Sequence, residues 1–266
     1  MRRIRALLWD VDGTLAETER DGHRLAFNRA FEACGLAWRW DETRYGELLN
    51  VTGGRERLRH DMTTRRDAPV LADERDALVA TLHQRKNAIY ADLVRDGGIS
   101  LRPGVANLMA QCRAQGVRMG IATTTSRVNV DALLHQQLGP HWADWFAVVV
   151  CGEDVAHKKP DPEVYLRALQ ALDVGPLECV AIEDSPAGVA AARAASVPVI
   201  VTQSAYFCGA VIEGAAAIGP GLETRSDWRP SLRTTHSAGM GVDLDDIRAW
   251  CAQMDTVAQY DSPARR

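Results

Sequence analysis

The stretch ALLWDVDGTLAET, from Ala6 to Thr18, decides the fold because a short apolar run ends abruptly in two aspartates. Ala6–Trp9 has the pattern expected of a strand that is buried on both faces of a sheet. Asp10 and Asp12 follow it directly, with a glycine at position 13. The sequence therefore indicates a rigid strand with two carboxylates at its end, which are the first candidate catalytic residues.

Four further apolar runs predict buried strands, and helical periodicity fills the intervals between them. The strands are predicted at 117–123, 146–152, 179–184 and 197–202, and the helices at 105–115, 128–137, 162–172 and 187–195. Strands that alternate with helices predict an α/β fold with a parallel sheet and helices on both faces. A last amphipathic helix is predicted at 242–254, whereas 212–228 is predicted to be loops.

The interval from about Thr18 to Asp96 interrupts the alternation because its residues are predicted to be helical throughout, starting with a helix at 17–33. We interpret residues 18–96 as a helical cap domain inserted after the first strand. Residues 1–17 and 97–266 then form a discontinuous α/β core, with an irregular C-terminal extension from about residue 207.

Composition limits the function classes. The chain has 266 residues, 46% of them apolar, which is enough to bury a core. Its formal net charge of -4 gives no general attraction for nucleic acid or for anionic membranes. Six scattered cysteines lack paired C-x-x-C spacing and indicate neither a zinc site nor a disulfide framework. We expect a cytoplasmic monomer that binds a small molecule.

Polar side chains follow the predicted strands where ligands of open parallel sheets bind, at the carboxyl ends. These residues are Asp10 and Asp12 after the first strand, Thr123 and Thr124 after the second, Lys158 and Lys159 after the third, and Glu183 and Asp184 after the fourth. Carboxylates that lie this close repel one another unless a cation compensates their charge. A hard divalent cation, Mg²⁺ above all, fits such a set together with a substrate phosphate.

Phosphoryl transfer gives each front aspartate a role. Asp10 can attack phosphorus while Asp12 gives a proton to the leaving oxygen. The lysine and threonine side chains would then stabilise the charge that develops on the phosphate oxygens.

The motifs DVDGT, IATTTS, KKPDP and IEDSPAG, in this order, resemble the four motifs of the haloacid dehalogenase superfamily. The resemblance covers nearly all of residues 4–202 and implies a Rossmann-like core with an inserted helical cap. It implies that Asp10 is the nucleophile and that Asp12 is the acid/base, whose main-chain carbonyl also contacts Mg²⁺. It further implies a phosphate-binding role for Thr123, Thr124 and Lys159 and a metal-binding role for Glu183 and Asp184.

Longer segments resemble the CbbY-type branch of sugar phosphatases. They are LWDVDGTLAETE, WRWDETRYGELLNVTGGRERL and CGEDVAHKKPDPEVYLRAL. This resemblance implies removal of the C1 phosphate of xylulose 1,5-bisphosphate, an inhibitor of Rubisco, and so a link to the Calvin cycle. A second phosphate needs a second anion site, for which the cap offers Gly53, Gly54 and Arg55. His23, Arg55 and Lys86 match substrate-contacting cap positions in related enzymes, and Glu17 is a candidate for binding a sugar hydroxyl.

Several neighbouring residues have a simpler interpretation. Lys158 is expected to be a solvated charge, and Thr125 and Ser126 are expected to cap the following helix. The cap arginines are expected to be solvated helix charges, at Arg57, Arg59, Arg65 and Arg66. The cap aromatics Trp38, Trp40 and Tyr45 are expected to pack the cap rather than to bind sugar.

Two other functions stay open. A sugar phosphomutase of the β-phosphoglucomutase type would keep the same core residues and differ in how long its aspartyl phosphate resists water. A receiver-like signalling module also uses a strand-end aspartate with threonine and lysine, although it has no cap and no second acid two residues after the acceptor.

Overall fold

The computed structural model describes residues 3–231 and 240–260. Within them, one parallel sheet of six strands has the order β3-β2-β1-β4-β5-β6. The strands are β1 (Ala6–Trp9), β2 (Arg118–Ala122), β3 (Val148–Val150), β4 (Cys179–Glu183), β5 (Val199–Thr202) and β6 (Ala217–Gly219). The predicted α/β fold with a parallel sheet is confirmed, and the four later predicted strands are each somewhat shorter than expected.

Nine α-helices lie in the described residues. They are α1 (Arg24–Ala33), α2 (Glu42–Leu48), α3 (Gly54–Met62), α4 (Ala72–Arg95), α5 (Val105–Ala114), α6 (Arg127–Leu138), α7 (Glu163–Leu172), α8 (Pro186–Ala194) and α9 (Leu244–Tyr260). The helix predicted from residue 17 begins later, because a π-helical turn at Glu19–His23 precedes α1. Thr18 directly precedes this turn with helical backbone angles, and Glu17 lies outside the helical segment.

Alternate residues of each strand pack on opposite faces of the sheet, as the period of two in a strand requires. Leu7 and Trp9 of β1 belong to the hydrophobic core formed with α5, α6 and α9. Ala6 and Leu8 belong to the core formed with α7 and α8. Because both faces of β1 are buried, its end is a rigid support for the residues that follow it.

A third hydrophobic cluster lies within α1–α4, and it confirms the expected packing of the cap aromatics. Trp38, Trp40 and Tyr45 are all buried in it, together with Phe27 and Phe31. Helix α4 contributes to two clusters, since its first half packs in this aromatic cluster and its second half packs against the core of the sheet.

The C-terminal region contains a strand where loops were predicted. β6 pairs in parallel with β5, and residues Ile218 and Arg229 form an antiparallel bridge. Trp228 is buried and stacks on Trp250 of α9, with ring centroids 4.5 Å apart. The prediction of loops at 212–228 is wrong for Ala217–Gly219, whereas the other residues of 207–228 are irregular as expected. Residues 232–239 and 261–266 of that extension lie outside the described residues.

The short strand β6 escaped prediction because its three residues, AIG, lack the run of β-branched side chains typical of a strand. Pairing with the buried strand β5, rather than local propensity, forms it.

No described helix is long and apolar enough to cross a membrane. Four of the six cysteines are buried, at Cys112, Cys151, Cys179 and Cys251.

Candidate active site

The site lies at the carboxyl edge of the sheet, where the strand order reverses around β1. β1 pairs with β2 on one side and with β4 on the other, so the ends of these three strands lie next to each other. Asp10 follows β1, Thr123 follows β2 and Glu183 ends β4. Ligands of doubly wound sheets bind at such a reversal point.

A buried lysine links two of the acids. Lys159 Nζ donates hydrogen bonds to Asp10 Oδ1 at 2.7 Å and to Glu183 Oε1 at 2.6 Å. The hydroxyl of Tyr165 also donates to Glu183 Oε1, at 2.6 Å. Burial opposes the charge on Lys159, but the two carboxylates outweigh burial and raise the pKa of its ammonium group. This part of the site is therefore ordered by its own charges.

Asp10, Glu183 and Asp184 form a carboxylate cluster in which one ligand oxygen from each lies within 4.8 Å of the others. Burial, with Glu183 as a further cause, raises the pKa of Asp10 to about 8. Burial and the charges of Asp10 and Glu183 raise the pKa of Asp184 well above its ordinary value. Buried acids that disfavour one another's charge are the donor set that a hard divalent cation stabilises.

Gly13 allows Asp184 to approach the loop after β1. Its φ is +82°, and a Cβ at this position would lie 2.0 Å from Asp184 Oδ2. No other residue fits both the backbone conformation and the space.

Asp12 points to a different set of partners. Its Oδ1 accepts a hydrogen bond from Thr18 Oγ1 at 2.5 Å and lies 2.9 Å from His23 Nε2. Burial raises the pKa of Asp12, but His23 and Thr18 outweigh it and hold the pKa well below the ordinary value. The side chain of Asp12 therefore faces Thr18 and the turn before α1.

Three adjoining cavities form one cleft between the strand ends and α1–α4. The inner chamber, of about 60 Å³, is lined by Asp10, Asp12, Thr123, Lys159 and Asp184 among others. The middle chamber, of about 30 Å³, is lined by Asp12, His23, Lys86 and Asn129 among others. The outer chamber, of about 180 Å³, is lined by Arg55, Arg59, His83, Ser126 and Lys158 among others.

Shared lining residues give the order of the chambers. Asp12, Gly53 and Arg57 line both the inner and the middle chamber. Gly54 and His83 line both the middle and the outer chamber. Thr124 lines all three. The middle chamber is thus a narrow passage that joins the acid cluster to the outer chamber.

The middle chamber brings together two residues predicted to contact substrate, His23 and Lys86. Both side chains are buried, and Lys86 Nζ lies 5.2 Å from the ring centres of Phe27 and Tyr90. Burial lowers the pKa of Lys86 to about 8, although Asp12 and Glu19 oppose this effect.

The outer chamber is lined by four basic side chains, Arg55, Arg59, His83 and Lys158, and by two acids, Glu56 and Glu153. Arg55 Nε donates to His83 Nδ1 at 3.4 Å, and burial together with neighbouring cations lowers the pKa of His83 to about 3. Lys158 Nζ donates to Gly152 O at 3.1 Å and lies 3.4 Å from Glu56 Oε1. The prediction that Lys158 is a solvated charge is wrong, because this bridge between α3 and the loop before Pro160 buries most of the side chain.

Glu17 is not brought to the cleft. Its carboxylate accepts from the Ala205 amide at 3.3 Å and lies 3.7 Å from Arg102 Nε, and it lines none of the three chambers. Glu19 lies there instead and lines the inner and middle chambers. The expectation that Glu17 binds a sugar hydroxyl does not fit this orientation, which the π-helical turn at 19–23 sets.

Arg57 is a further site residue that the sequence did not identify. It is buried, donates to the Tyr45 hydroxyl at 2.7 Å and lies 3.6 Å from Glu19 Oε2, while Tyr45 donates to Glu19 at 2.5 Å. The prediction of a solvated charge is wrong, because Arg57 lies on the buried face of α3 together with Leu58, Asp61 and Met62. The helical spacing of these residues is the sequence signal that could have placed Arg57 on the buried face.

The other simple interpretations have mixed outcomes. Ser126 occupies the N-cap position of α6, but its side chain accepts no capping hydrogen bond. Thr125 Oγ1 accepts from Asn129 Nδ2 instead. Arg66 is exposed as predicted, and Arg59 is half-exposed beside Asp76. Arg65 is not a solvated charge, because it pairs with Asp61 at 2.6 Å and lies over the ring of Trp38.

Comparison with known proteins gives consistent results. The family model of haloacid dehalogenase-like hydrolases matches residues 4–196. Protein CbbY of Rhodobacter capsulatus is 47% identical over 206 residues, 77% of this chain and 88% of the relative. Protein CbbY, plasmid, of Cupriavidus necator is 40% identical over 247 residues, 93% and 96% of the two chains.

A crystal structure of an aspartate-to-asparagine variant of CbbY from Rhodobacter sphaeroides, in complex with xylulose 1,5-bisphosphate, superposes with a TM-score of 0.76 at 41% identity. The superposition covers 81% of this chain and 93% of that one.

Proposed function

Because the chain belongs to the haloacid dehalogenase-like hydrolases and is a phosphatase of that family, we propose that it removes one phosphate from a small sugar bisphosphate. Xylulose 1,5-bisphosphate is the first candidate, since a CbbY structure holds this compound. Membership of this hydrolase family argues against the receiver-like signalling module, an alternative that rested on the strand-end aspartate, threonine and lysine.

The observation that carries the proposal is the linear order of the three chambers. One phosphate fits beside Asp10 and Lys159 in the inner chamber, and a second fits among Arg55, His83 and Lys158 in the outer chamber. The narrow middle chamber lies between them, where part of the carbon chain that links the two phosphates would pass. Arginine and lysine side chains at the far end favour a substrate that carries a second anionic group.

Asp10 is the nucleophile in this proposal. Its carboxylate attacks phosphorus, and the bond between phosphorus and the sugar oxygen breaks, which leaves an aspartyl phosphate on Asp10. Lys159 holds the attacking carboxylate at 2.7 Å and offsets charge on the phosphate oxygens. Thr123 and Thr124 line the same chamber and complete the phosphate-binding set.

Asp12 moves the proton. As an acid it protonates the departing sugar oxygen, and as a base it takes a proton from the water that attacks the aspartyl phosphate. The contacts with His23 and Thr18 favour its ionised form, which suits the second step. His23 Nε2 lies 2.9 Å from Asp12 Oδ1 and so orients the carboxyl group that delivers the proton in the first step.

The carboxylate cluster fits Mg²⁺. Asp10, Glu183 and Asp184, with the main-chain carbonyl of Asp12, are the residues that would hold it. When bound, Mg²⁺ neutralises part of the phosphate charge and the mutual repulsion of the acids. Oxygen ligands of this kind, without sulfur or imidazole, match magnesium in preference to zinc or copper.

We also propose that residues 18–96 act as a cap that selects the substrate. The separate aromatic cluster within α1–α4 supports this division. In this proposal His23, Lys86 and Arg55 contact the substrate, and Gly53 and Gly54 let it approach the backbone at the start of α3. Gly53 has a φ of +91°, and a Cβ on it would lie 2.6 Å from the Lys158 side chain.

Product analysis by ³¹P NMR tests the proposal. With Mg²⁺ and xylulose 1,5-bisphosphate, we expect inorganic phosphate and a pentulose monophosphate in equal amounts, and no reaction with EDTA. Conversion of one sugar phosphate isomer into another without net phosphate release would favour the phosphomutase alternative. Equal rates on mono- and bisphosphates would contradict the role of the outer chamber.

A further inference from the structure

Asn129, in the first turn of α6, lines the middle chamber between the two phosphate-binding ends of the cleft. We propose that its side-chain amide binds a hydroxyl or carbonyl oxygen on the carbon chain of the substrate and so selects polyhydroxylated substrates. This inference rests on the proposed function and adds a specificity-determining residue to it.

The first observation is an unsatisfied hydrogen-bonding atom. Asn129 is 2% exposed, and its Nδ2 donates to Thr125 Oγ1 at 3.3 Å. Its Oδ1 is buried and has no hydrogen-bond partner among the described residues. A buried amide oxygen without a partner carries a desolvation cost, so native proteins rarely keep one without a reason.

The second observation is a similar atom on another residue that lines the same chamber. His23 Nδ1 is also buried without a partner in the described part of the chain, while His23 Nε2 is engaged by Asp12. The two residues belong to different segments, Asn129 to α6 and His23 to the turn before α1. Polar groups of a ligand between them would satisfy both.

The size and charge of the chamber limit what the ligand group can be. A volume of about 30 Å³ is too small for a phosphate together with its surroundings but is enough for one or two polar atoms. Asn129 offers one amide to this space, and an amide matches a hydroxyl or carbonyl oxygen in its hydrogen-bonding capacity. The fitting group is therefore a hydroxyl or carbonyl oxygen of the carbon chain that links the two phosphates.

Either orientation of the amide leads to the same class of ligand. With Nδ2 on Thr125, the free oxygen accepts from a substrate hydroxyl, and with the amide reversed, the free NH₂ donates to a substrate oxygen. Thr125 is then a positioning residue, because its hydroxyl holds the other end of the amide.

Asn28 provides a matched control within the same chain. Its Nδ2 donates to Trp40 O at 2.8 Å, and its Oδ1 accepts from Trp40 N at 2.8 Å. Both ends of this amide are satisfied by the protein, as expected for an asparagine whose role is structural. Asn129 has only one end satisfied among the described residues, as expected for a residue that waits for a ligand.

The test compares two substrates that share both phosphates, xylulose 1,5-bisphosphate and 1,5-pentanediol bisphosphate, which lacks the hydroxyls and the carbonyl. We expect Asn129→Leu to lower kcat/KM for the sugar by roughly tenfold, the value of one good hydrogen bond. The same variant should leave kcat/KM for the pentanediol compound within about twofold, because that compound has no oxygen for Asn129 to bind. An equal loss on both substrates, or no loss on either, would overturn the proposal.

A stability measurement separates a binding role from a structural one. We expect Asn129→Leu to change Tm by no more than about 2 °C, since the protein leaves one end of the amide unsatisfied. Asn28→Leu should lower Tm by at least about 3 °C and affect both substrates alike. If Asn129→Leu does not fold, Asn129→Ala and Asn129→Asp are assayed with the same substrate pair. Loss of discrimination in the alanine variant then supports the proposal, and retained discrimination contradicts it.

Failure of the proposed function is distinguishable. If the wild-type protein cleaves p-nitrophenyl phosphate but neither bisphosphate, the bisphosphate assignment is wrong. The Asn129 variants are then compared on pentose monophosphates and 1,5-pentanediol monophosphate. Unchanged selectivity between these would remove Asn129 from substrate recognition.

Discussion

The inner and outer chambers of the cleft differ in how their charged groups are held. In the inner chamber the Lys159 ammonium, 3% exposed, makes hydrogen bonds of 2.6 and 2.7 Å to two buried carboxylates. In the outer chamber Lys158 and Glu56 lie 3.4 Å apart and are 20% and 41% exposed. The groups that would do chemistry are ordered before substrate arrives, whereas the groups that would bind the distant phosphate are less tightly paired and more exposed than Lys159.

This difference has a physical reason. Preorganised charges stabilise a transition state without reorganising at the moment of reaction. Binding groups at the far end have to admit and release a charged ligand, and exposed ion pairs are weak enough to be exchanged for contacts with it. We therefore expect substitutions in the inner chamber to remove turnover and substitutions in the outer chamber to change substrate preference.

The largest effect is expected for Asp10→Asn. The change is nearly isosteric and leaves the bond between Lys159 and Glu183, so circular dichroism should be unchanged, while removal of the nucleophile should lower kcat by at least about 10³-fold. Phosphate release by the purified variant gives the answer. Turnover within tenfold of wild type would contradict the proposed difference between the two chambers, because the inner chamber would then not hold the nucleophile.

The next largest effect is expected on Mg²⁺ binding, which is measured as a change in Tm and needs no activity assay. Saturating Mg²⁺, at about 100 times its Kd, should raise the Tm of the wild-type protein by roughly 5–10 °C. Asp184→Asn should remove most of this shift, because Asp184 belongs to the carboxylate cluster. Asp161→Asn is the control and should keep the shift, because Asp161 lies outside the carboxylate cluster, in a separate group with His157 and Glu163. An undiminished shift in the Asp184 variant would exclude that residue from the metal site.

A smaller and selective effect is expected for Arg55→Ala. Loss of a cationic contact to the second phosphate should lower kcat/KM for a bisphosphate by roughly 10- to 100-fold and that for a monophosphate by less than about threefold. Arg66→Ala, an exposed arginine of the same region, should change neither value. An equal loss of kcat/KM on mono- and bisphosphates would mean that Arg55 does not bind the second phosphate.

The smallest effect is a pH dependence that arises in the middle chamber. Burial lowers the pKa of Lys86 to about 8, so in the folded protein the ammonium loses its proton as the pH rises through this value. Asp12 and Glu19 face it as acids and Arg57 as a cation. At saturating Mg²⁺, KM should rise a few-fold across this transition, as the attraction for an anionic substrate is lost.

The control for this prediction is Lys86→Arg, whose side chain stays charged at these pH values. Its KM should be flat across the same range. A rise in KM of the same size in both proteins would assign the titration to another group.

The sequence predicts the inner chamber well and the cap side poorly, for a reason visible in particular residues. Asp10, Thr123, Lys159 and Glu183 each follow or end a strand, and neighbouring parallel strands bring such positions together without further information. Glu19, Arg57 and Tyr45 instead meet through the π-helical turn at 19–23 and the buried face of α3. Neither feature has a sequence signal comparable to a strand followed by aspartate.

The same contrast explains the two errors about charged side chains. Glu17 lies in a motif-like segment, yet the turn after it directs its carboxylate toward Ala205. Lys158 is next to Lys159 in the sequence and was expected to be solvated, yet Gly53 leaves room for its side chain to lie against the start of α3. Both positions depend on contacts between segments far apart in the chain, which local patterns do not encode.

Rapid acid quench of the wild-type protein, mixed with radiolabelled xylulose 1,5-bisphosphate and Mg²⁺, tests the central claim most directly. The account predicts a protein-bound phosphate that maps to the peptide containing Asp10 and that forms and decays at least as fast as turnover. Label on another residue, or free phosphate released at the normal rate with no labelled protein at any time, would contradict it.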